Sequence, residues 1–272
     1  MIRRLALALV LLGFAGNVAV AAPAVILATT TSTLDTGLLD VLVPAFEKST
    51  GYSVKTIAVG TGAALAMGQR GDADVLLVHA PSAEEAYMAA GRGLTRSLVM
   101  HNAFIIVGPP SDPAGVKGAS NAQTALGRIA RAEATFISRG DDSGTNIKEL
   151  ALWKAAAVLP QGSWYIKTGS GMSDALHIAS QKGAYTLTDD GTYLSQRATL
   201  ALVPLLADAP DLRNIYHVIV VKPLADRISN QPGAAAFAKF VTSPAGQRTI
   251  ATFGREKFGR PLFAPDAGNG DS

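Results

Sequence analysis

The sequence predicts an α/β fold, a sheet covered by helices on both faces. Short β-rich runs alternate with helical patterns along almost the whole chain, and hydroxyl-rich or glycine-rich segments sit where a β-run ends and a helical pattern begins. The β-runs fall at 24–29, 53–58, 75–79, 104–108, 135–137, 164–166, 185–187 and 216–221. Between them, Leu38, Leu39, Leu42, Val43 and Phe46 form an apolar stripe at helical spacing that Gly51 ends. Ser82 with Glu85 forms a capping box for a helix running to Ala90, and Ser120 with Gln123 repeats the signature. The run 104–108 meets the breakers Pro109, Pro110 and Pro113, and the run 216–221 is closed by Pro223. A chain that crosses to a second lobe near Phe104 and returns near Tyr216 has a discontinuous lobe I, 22–104 with 216–264, and a continuous lobe II, 105–215. A ligand cleft then lies between the lobes. A single doubly wound sheet gives a similar alternation.

The chain has 272 residues and no cysteine, which excludes disulfides, thiolate metal sites, a cysteine nucleophile and a lipid-anchor cysteine. Residues 1–21 read as a secretory signal peptide: Arg3 and Arg4, an apolar stretch too short to span a bilayer, then Ala19-Val20-Ala21. That leader holds two arginines and no acid, so removing it takes the formal charge from +3 to +1. The charge balance therefore points to no nucleic-acid partner. Residues 265–272 are small and polar and read as a flexible tail. The expected product is a free periplasmic protein and a monomer.

Three segments could carry binding. Thr29-Thr30-Thr31-Ser32-Thr33 supplies more hydroxyls than one helix cap needs. Gly60-Thr61-Gly62 lets a backbone approach a ligand, or simply turns the chain. In Ser138-Arg139-Gly140-Asp141-Asp142-Ser143-Gly144-Thr145, a guanidinium faces a helix start, which suits an oxyanion. Arg139 paired with Asp141 and no ligand is the plain alternative. Arg-Gly-Asp at 70–72 and 139–141 is a chance tripeptide. His79, His101, His177 and His217 lack metal spacing, and Gly169-Ser170-Gly171-Met172-Ser173 fails the nucleophile-elbow pattern, so no catalytic residue, metal site or cofactor is expected.

Together these blocks resemble the tungstate-binding, type II periplasmic solute receptors of ATP-binding-cassette (ABC) importers. The resemblance runs through Thr29-Thr30-Thr31-Ser32, 58–65, 71–79, Val107-Gly108-Pro109, 138–145 and Tyr185-Thr186-Leu187-Thr188. It implies the two-lobed type II periplasmic binding protein fold, closing on a tetrahedral oxyanion and handing it to a membrane permease. The ligand is tungstate first and molybdate next, bound through its oxygens by Thr30, Thr31, Ser32, Thr61, Arg139, Ser143, Gly144 and Thr145. A phosphate or sulfate receptor of the same fold, or a secreted hydrolase, is the alternative. Asp141 divides the anions, since a carboxylate facing an unprotonated dianion repels it but could accept the proton of phosphate.

The sequence departs from that family at His101, Ala103, Asn146, Asp174 and Asp190, where Tyr, Asp, His, a smaller uncharged residue and Arg are usual. The changes at Ala103 and Asp190 read either as a weakened anion site or as the joint loss of a structural bridge.

Overall fold

The structure, a computed structural model, describes residues 24–269; the expected leader lies outside them. The chain opens with β1 (Ala24–Thr30), α1 (Thr31–Asp35), α2 (Leu39–Thr50), β2 (Ser53–Val59), α3 (Thr61–Arg70), β3 (Val75–Val78) and α4 (Pro81–Ala89). A 16-residue strand, β4 (Gly93–Gly108), then leads to α5 (Ala122–Arg131), β5 (Phe136–Ser138), α6 (Gly144–Ala155), β6 (Tyr165–Lys167), α7 (Met172–Lys182), β7 (Tyr185–Asp189) and α8 (Asp190–Gln196). The chain returns through β8 (Val203–Leu206) and β9 (Arg213–Val221), and closes with α9 (Gln231–Thr242), α10 (Pro244–Thr252), α11 (Arg255–Phe258) and β10 (Ala264–Pro265).

The strand order is β2-β1-β3-β9-β4-β7-β5-β6, with β8 and β10 also paired to β4. Residues 93–103 of β4 pair with β9, whereas 104–108 pair with β7 and β8. A single strand thus belongs to both half-sheets, and the change of partner falls at Ala103 and Phe104. Side chains alternate across each half, as a strand period of two requires. In the first half Val75 and Leu77 pack with Leu42, Phe46 and Phe237 on one face, while Leu76 and Val78 pack with Ala64 and Tyr87 on the other. In the second half Ile106 and Phe136 join Leu126 and Trp153, and Ile105 and Ile137 join Leu176 and Tyr193. Each lobe is therefore a sheet sandwiched between helices, with two buried cores.

Several caps differ from the sequence expectation. The α4 start uses Pro81 at its first turn, and Glu84 rather than Glu85 reaches back to the Ala80 N–H at 2.7 Å. Asn121, not Ser120, caps α5 by accepting from the Thr124 N–H at 2.8 Å. Residues 265–269 do not fray: Asp266 is buried, accepts from His101 and from Arg213 at 3.2 Å, and the Ala267 N–H donates to Gln247 at 3.0 Å. Asp190 forms an ion pair with Arg260 at 3.0 Å, so a bridge exists here with a different cation, and arginine at position 190 would face like charge.

Two glycines in helices separate backbone cost from packing cost. Gly127 on α5 has nothing within 4 Å of an added Cβ, whereas a Cβ at Gly246 on α10 would lie 2.2 Å from the Phe240 carbonyl oxygen. Gly127→Ala should stabilise the protein by about 0.5–1 kcal/mol, through the lost backbone entropy of glycine. Gly246→Ala should destabilise it; urea unfolding of the two variants beside the parent measures both signs.

Candidate functional site

The hydroxyl-rich and glycine-rich segments converge where the lobes meet. Thr30 ends β1 and caps α1, its Oγ1 accepting from the Thr33 N–H at 3.1 Å. With only five residues, α1 is too short to act as a strong helix dipole, so this turn offers hydroxyls more than a helix field. Thr61 opens the ten-residue α3, and Gly144 with Thr145 opens the twelve-residue α6. Ser143 caps α6 by accepting from the Asn146 N–H at 3.2 Å, which leaves its hydroxyl proton to donate elsewhere. These starts lie almost in contact: a Cβ on Gly144 would sit 3.0 Å from Thr61 Oγ1 and 2.8 Å from the His79 ring. Only glycine fits there. Backbone also bridges the lobes, as the Gly62 N–H donates to the Asp142 carbonyl at 3.3 Å.

Arg139 is 2% exposed and reaches across the cleft. Its Nη1 donates to Ser32 Oγ at 3.0 Å, its Nη2 to Thr31 Oγ1 at 3.0 Å, and its Nε to the Ser170 carbonyl at 3.3 Å. Nη2 also meets Asp141 Oδ2 at 2.6 Å, while Asp141 Oδ1 accepts from the Ser143 N–H at 3.2 Å. Asp141 is thus the counter-charge of Arg139 and a brace for the turn before α6. Asp142 adopts φ +55° in the same turn, and its N–H donates to Asn146 Oδ1 at 3.3 Å.

Of the few buried side-chain polar atoms without a hydrogen bond among the described residues, two lie at this junction. Thr61 Oγ1 and Thr145 Oγ1 are buried and make no hydrogen bond. A buried unsatisfied hydroxyl costs about 1–3 kcal/mol, and here two occur on adjoining helix starts from opposite lobes. Structures keep such groups where something else satisfies them. All eight residues expected at the site lie around this junction, but Thr30 differs in role: its Oγ1 is 2.7 Å from Thr33 Oγ1 and 3.1 Å from His79 Nε2. Sequence reasoning missed His79. Its position directly after a fully buried strand, beside the threonine turn, was the available signal.

The departures from the family pattern also find their places. Asn146 donates to Ser138 Oγ at 3.3 Å and lies 3.5 Å from Glu149, which also accepts from Ser138, Trp153 and Tyr165. Burial raises the Glu149 pKa against those four hydrogen bonds. His101, Ala103 and Asp190 line a separate 530 Å³ hollow behind the crossover strands, away from the hydroxyls.

Burial pushes His79 down to about 4, against the raising effect of its hydrogen bond to Asn214, with Arg139 adding to the lowering. The unfolded chain protonates a histidine near pH 6.5. Between those values the unfolded state binds the extra proton, so this group lowers folding stability as pH falls. Relative to His79→Gln, the parent should lose on the order of 3 kcal/mol between pH 6.5 and 4, one pKa unit being worth about 1.4 kcal/mol. Urea unfolding of both proteins across that range reads the difference.

Comparison with known proteins places the chain in a family. Residues 17–245 match the model of a PBP superfamily domain. The chain is 49% identical over 245 residues to the tungstate-binding protein TupA of Peptoclostridium acidaminophilum, covering 89% of this chain and 86% of that one. The solved structure of the tungstate ABC transporter from Geobacter sulfurreducens shares 45% identity at a TM-score of 0.78, over 85% of this chain and 98% of the other. TupA from Desulfovibrio alaskensis G20 shares 44% identity at a TM-score of 0.75, over 90% and 100%. The chain belongs to the PBP superfamily and, within it, to the family that includes the tungstate-binding proteins TupA.

Proposed function

We propose that this chain is the solute-binding component of an ABC importer, capturing tungstate first and molybdate next and delivering it to a membrane permease. The observation that carries the reading is the pair of buried, unpartnered hydroxyls on Thr61 and Thr145, on two helix starts that lie against each other from opposite lobes. An oxyanion there accepts from both hydroxyls, from backbone N–H groups of α3 and α6, and from Thr31, Ser32 and Ser143. Such charge-assisted hydrogen bonds contribute about 1.5–3 kcal/mol each. The Arg139–Asp141 pair bears on which anion. Asp141 is paired with Arg139 and accepts from Ser143, so its charge is offset by the guanidinium and repels an unprotonated dianion less. That favours an unprotonated dianion.

Binding without chemistry is the reading these residues favour: the hydroxyls of Thr31, Ser32, Thr61, Ser143 and Thr145 serve as donors, and the one hydroxyl that meets an imidazole, Thr30 against His79, is also tied to Thr33. The two lobes in this reading are 22–104 with 216–264 and 105–215, joined by β4 and β9, and they close on the anion as Arg139 draws Thr31 and Ser32 across. The protein works as a periplasmic monomer. No helix among the described residues is long and apolar enough to cross a membrane.

Thermal shift of anion-free protein against tungstate, molybdate, sulfate, phosphate and chromate tests the reading. Tungstate and molybdate should stabilise it and phosphate should not; no response to any anion sinks the proposal. Arg139→Ala should weaken tungstate binding at least tenfold by calorimetry, about 1.4 kcal/mol, while far-UV circular dichroism stays unchanged.

A further inference from the structure

A line of buried hydrogen bonds runs from the threonine turn of one lobe, across both crossover strands, to a carboxylate of the other. Asp189, at the end of β7, is fully buried, and its carboxylate accepts from the Thr192 N–H at 2.8 Å and the Thr192 hydroxyl at 2.7 Å. Burial lifts its pKa to about 6, and both of its oxygens accept from Thr192, so the carboxylate is the acceptor end of the line. Asn102 on β4 therefore turns its Nδ2 towards Asp189 Oδ1, at 3.4 Å. Its Oδ1 then accepts from Asn214 Nδ2 on β9, at 2.7 Å. The Asn214 Oδ1 that remains lies 2.9 Å from His79 Nδ1, which must carry the proton. A neutral ring protonated on Nδ1 leaves Nε2 as a lone pair, and the Thr30 hydroxyl, 3.1 Å away, donates to it. Every donor in this line points towards Asp189. Such a one-way chain in a dry interior polarises along its length, each bond strengthening the next.

We propose that His79 is a positioning residue for oxyanion capture: it ties the Thr30 turn to Asp189 through Asn214 and Asn102, and turns the Thr30 hydroxyl away from the anion. Of the hydroxyls in that turn that reach the cleft, Thr31 and Ser32 remain, the two that Arg139 contacts. The far end of the line returns to the same turn, with Thr192 Oγ1 3.5 Å from the Ser32 carbonyl. The relay thus spans the two strands that any lobe movement must bend. The proposal rests on the oxyanion reading above.

The test separates the two halves of the imidazole. An asparagine at position 79 can reach where Nδ1 was and keep Asn214; a glutamine can reach where Nε2 was and keep Thr30. A local capping role would be spared in His79→Gln, and a role confined to the hinge would be spared in His79→Asn. Each variant should bind tungstate at least about tenfold more weakly in calorimetry, with far-UV circular dichroism retained. Parent affinity in either folded variant overturns the proposal. Long-range proton–nitrogen spectra of the parent, recorded at pH 7 without any anion, should show His79 as the neutral Nδ1–H tautomer, and Asp189→Asn should shift that population. An imidazolium, an Nε2–H tautomer, or a tautomer indifferent to Asp189→Asn overturns it as well. Failure of the parent to bind tungstate would instead count against the functional reading, and the spectra would still decide whether the relay exists.

Discussion

A single buried guanidinium organises the place where the lobes meet. Removing a charge from water is costly unless it is paired and its donors are used. Arg139 is paired by Asp141 and held by Ser170 of its own lobe, and its remaining donors are used away from water by Thr31 and Ser32 of the other. Withdrawing the lobes strips two of its partners and readmits water. The same junction leaves the Thr61 and Thr145 hydroxyls enclosed and unsatisfied, the donors that the proposed oxyanion would use.

The turn that carries Arg139 is braced from below. Gly140 takes φ +61°, and a Cβ there would lie 2.9 Å from Lys167 Cβ, so the backbone passes where a side chain could not. Beneath it, Glu149 gathers donors from β5, β6 and α6, anchoring the α6 start to the sheet. Asn146 supplies one of those contacts as a neutral amide. This buried polar layer makes the geometry of the α6 start a property of the core of its lobe.

Much of the architecture was legible from the residues. The eight β-runs all correspond to strands, with ends shifted by up to three residues apart from the start of β4, and the central ones were the plainest because strands buried on both faces need apolar sequence. The exceptions have specific causes. The first half of β4 was missed because Arg96, His101 and Asn102 break its apolar pattern; Arg96 is held by Glu84 at 3.0 Å, a partner twelve residues earlier. β8 was missed because it is four residues long and contains Pro204, which suits an edge. The cap slipped by one residue at α5, where Ser120 and Asn121 compete, and by two at α4, where Pro81 starts the helix and the cap is Ala80, without a side-chain bond.

What the sequence determined by itself is local: the β-runs, the helix starts, the hydroxyls and the guanidinium, each readable because period, capping and charge are properties of neighbouring residues. What only the tertiary structure decided is the sense in which these groups are used. Asp141 turned to Arg139, Thr30 was committed to His79, and Thr61 and Thr145 were left without partners. Those outcomes depend on contacts between residues up to 135 positions apart, as between His79 and Asn214. Hydrogen-bond direction in a dry interior follows from which groups the fold brings together, and a linear pattern holds no record of that.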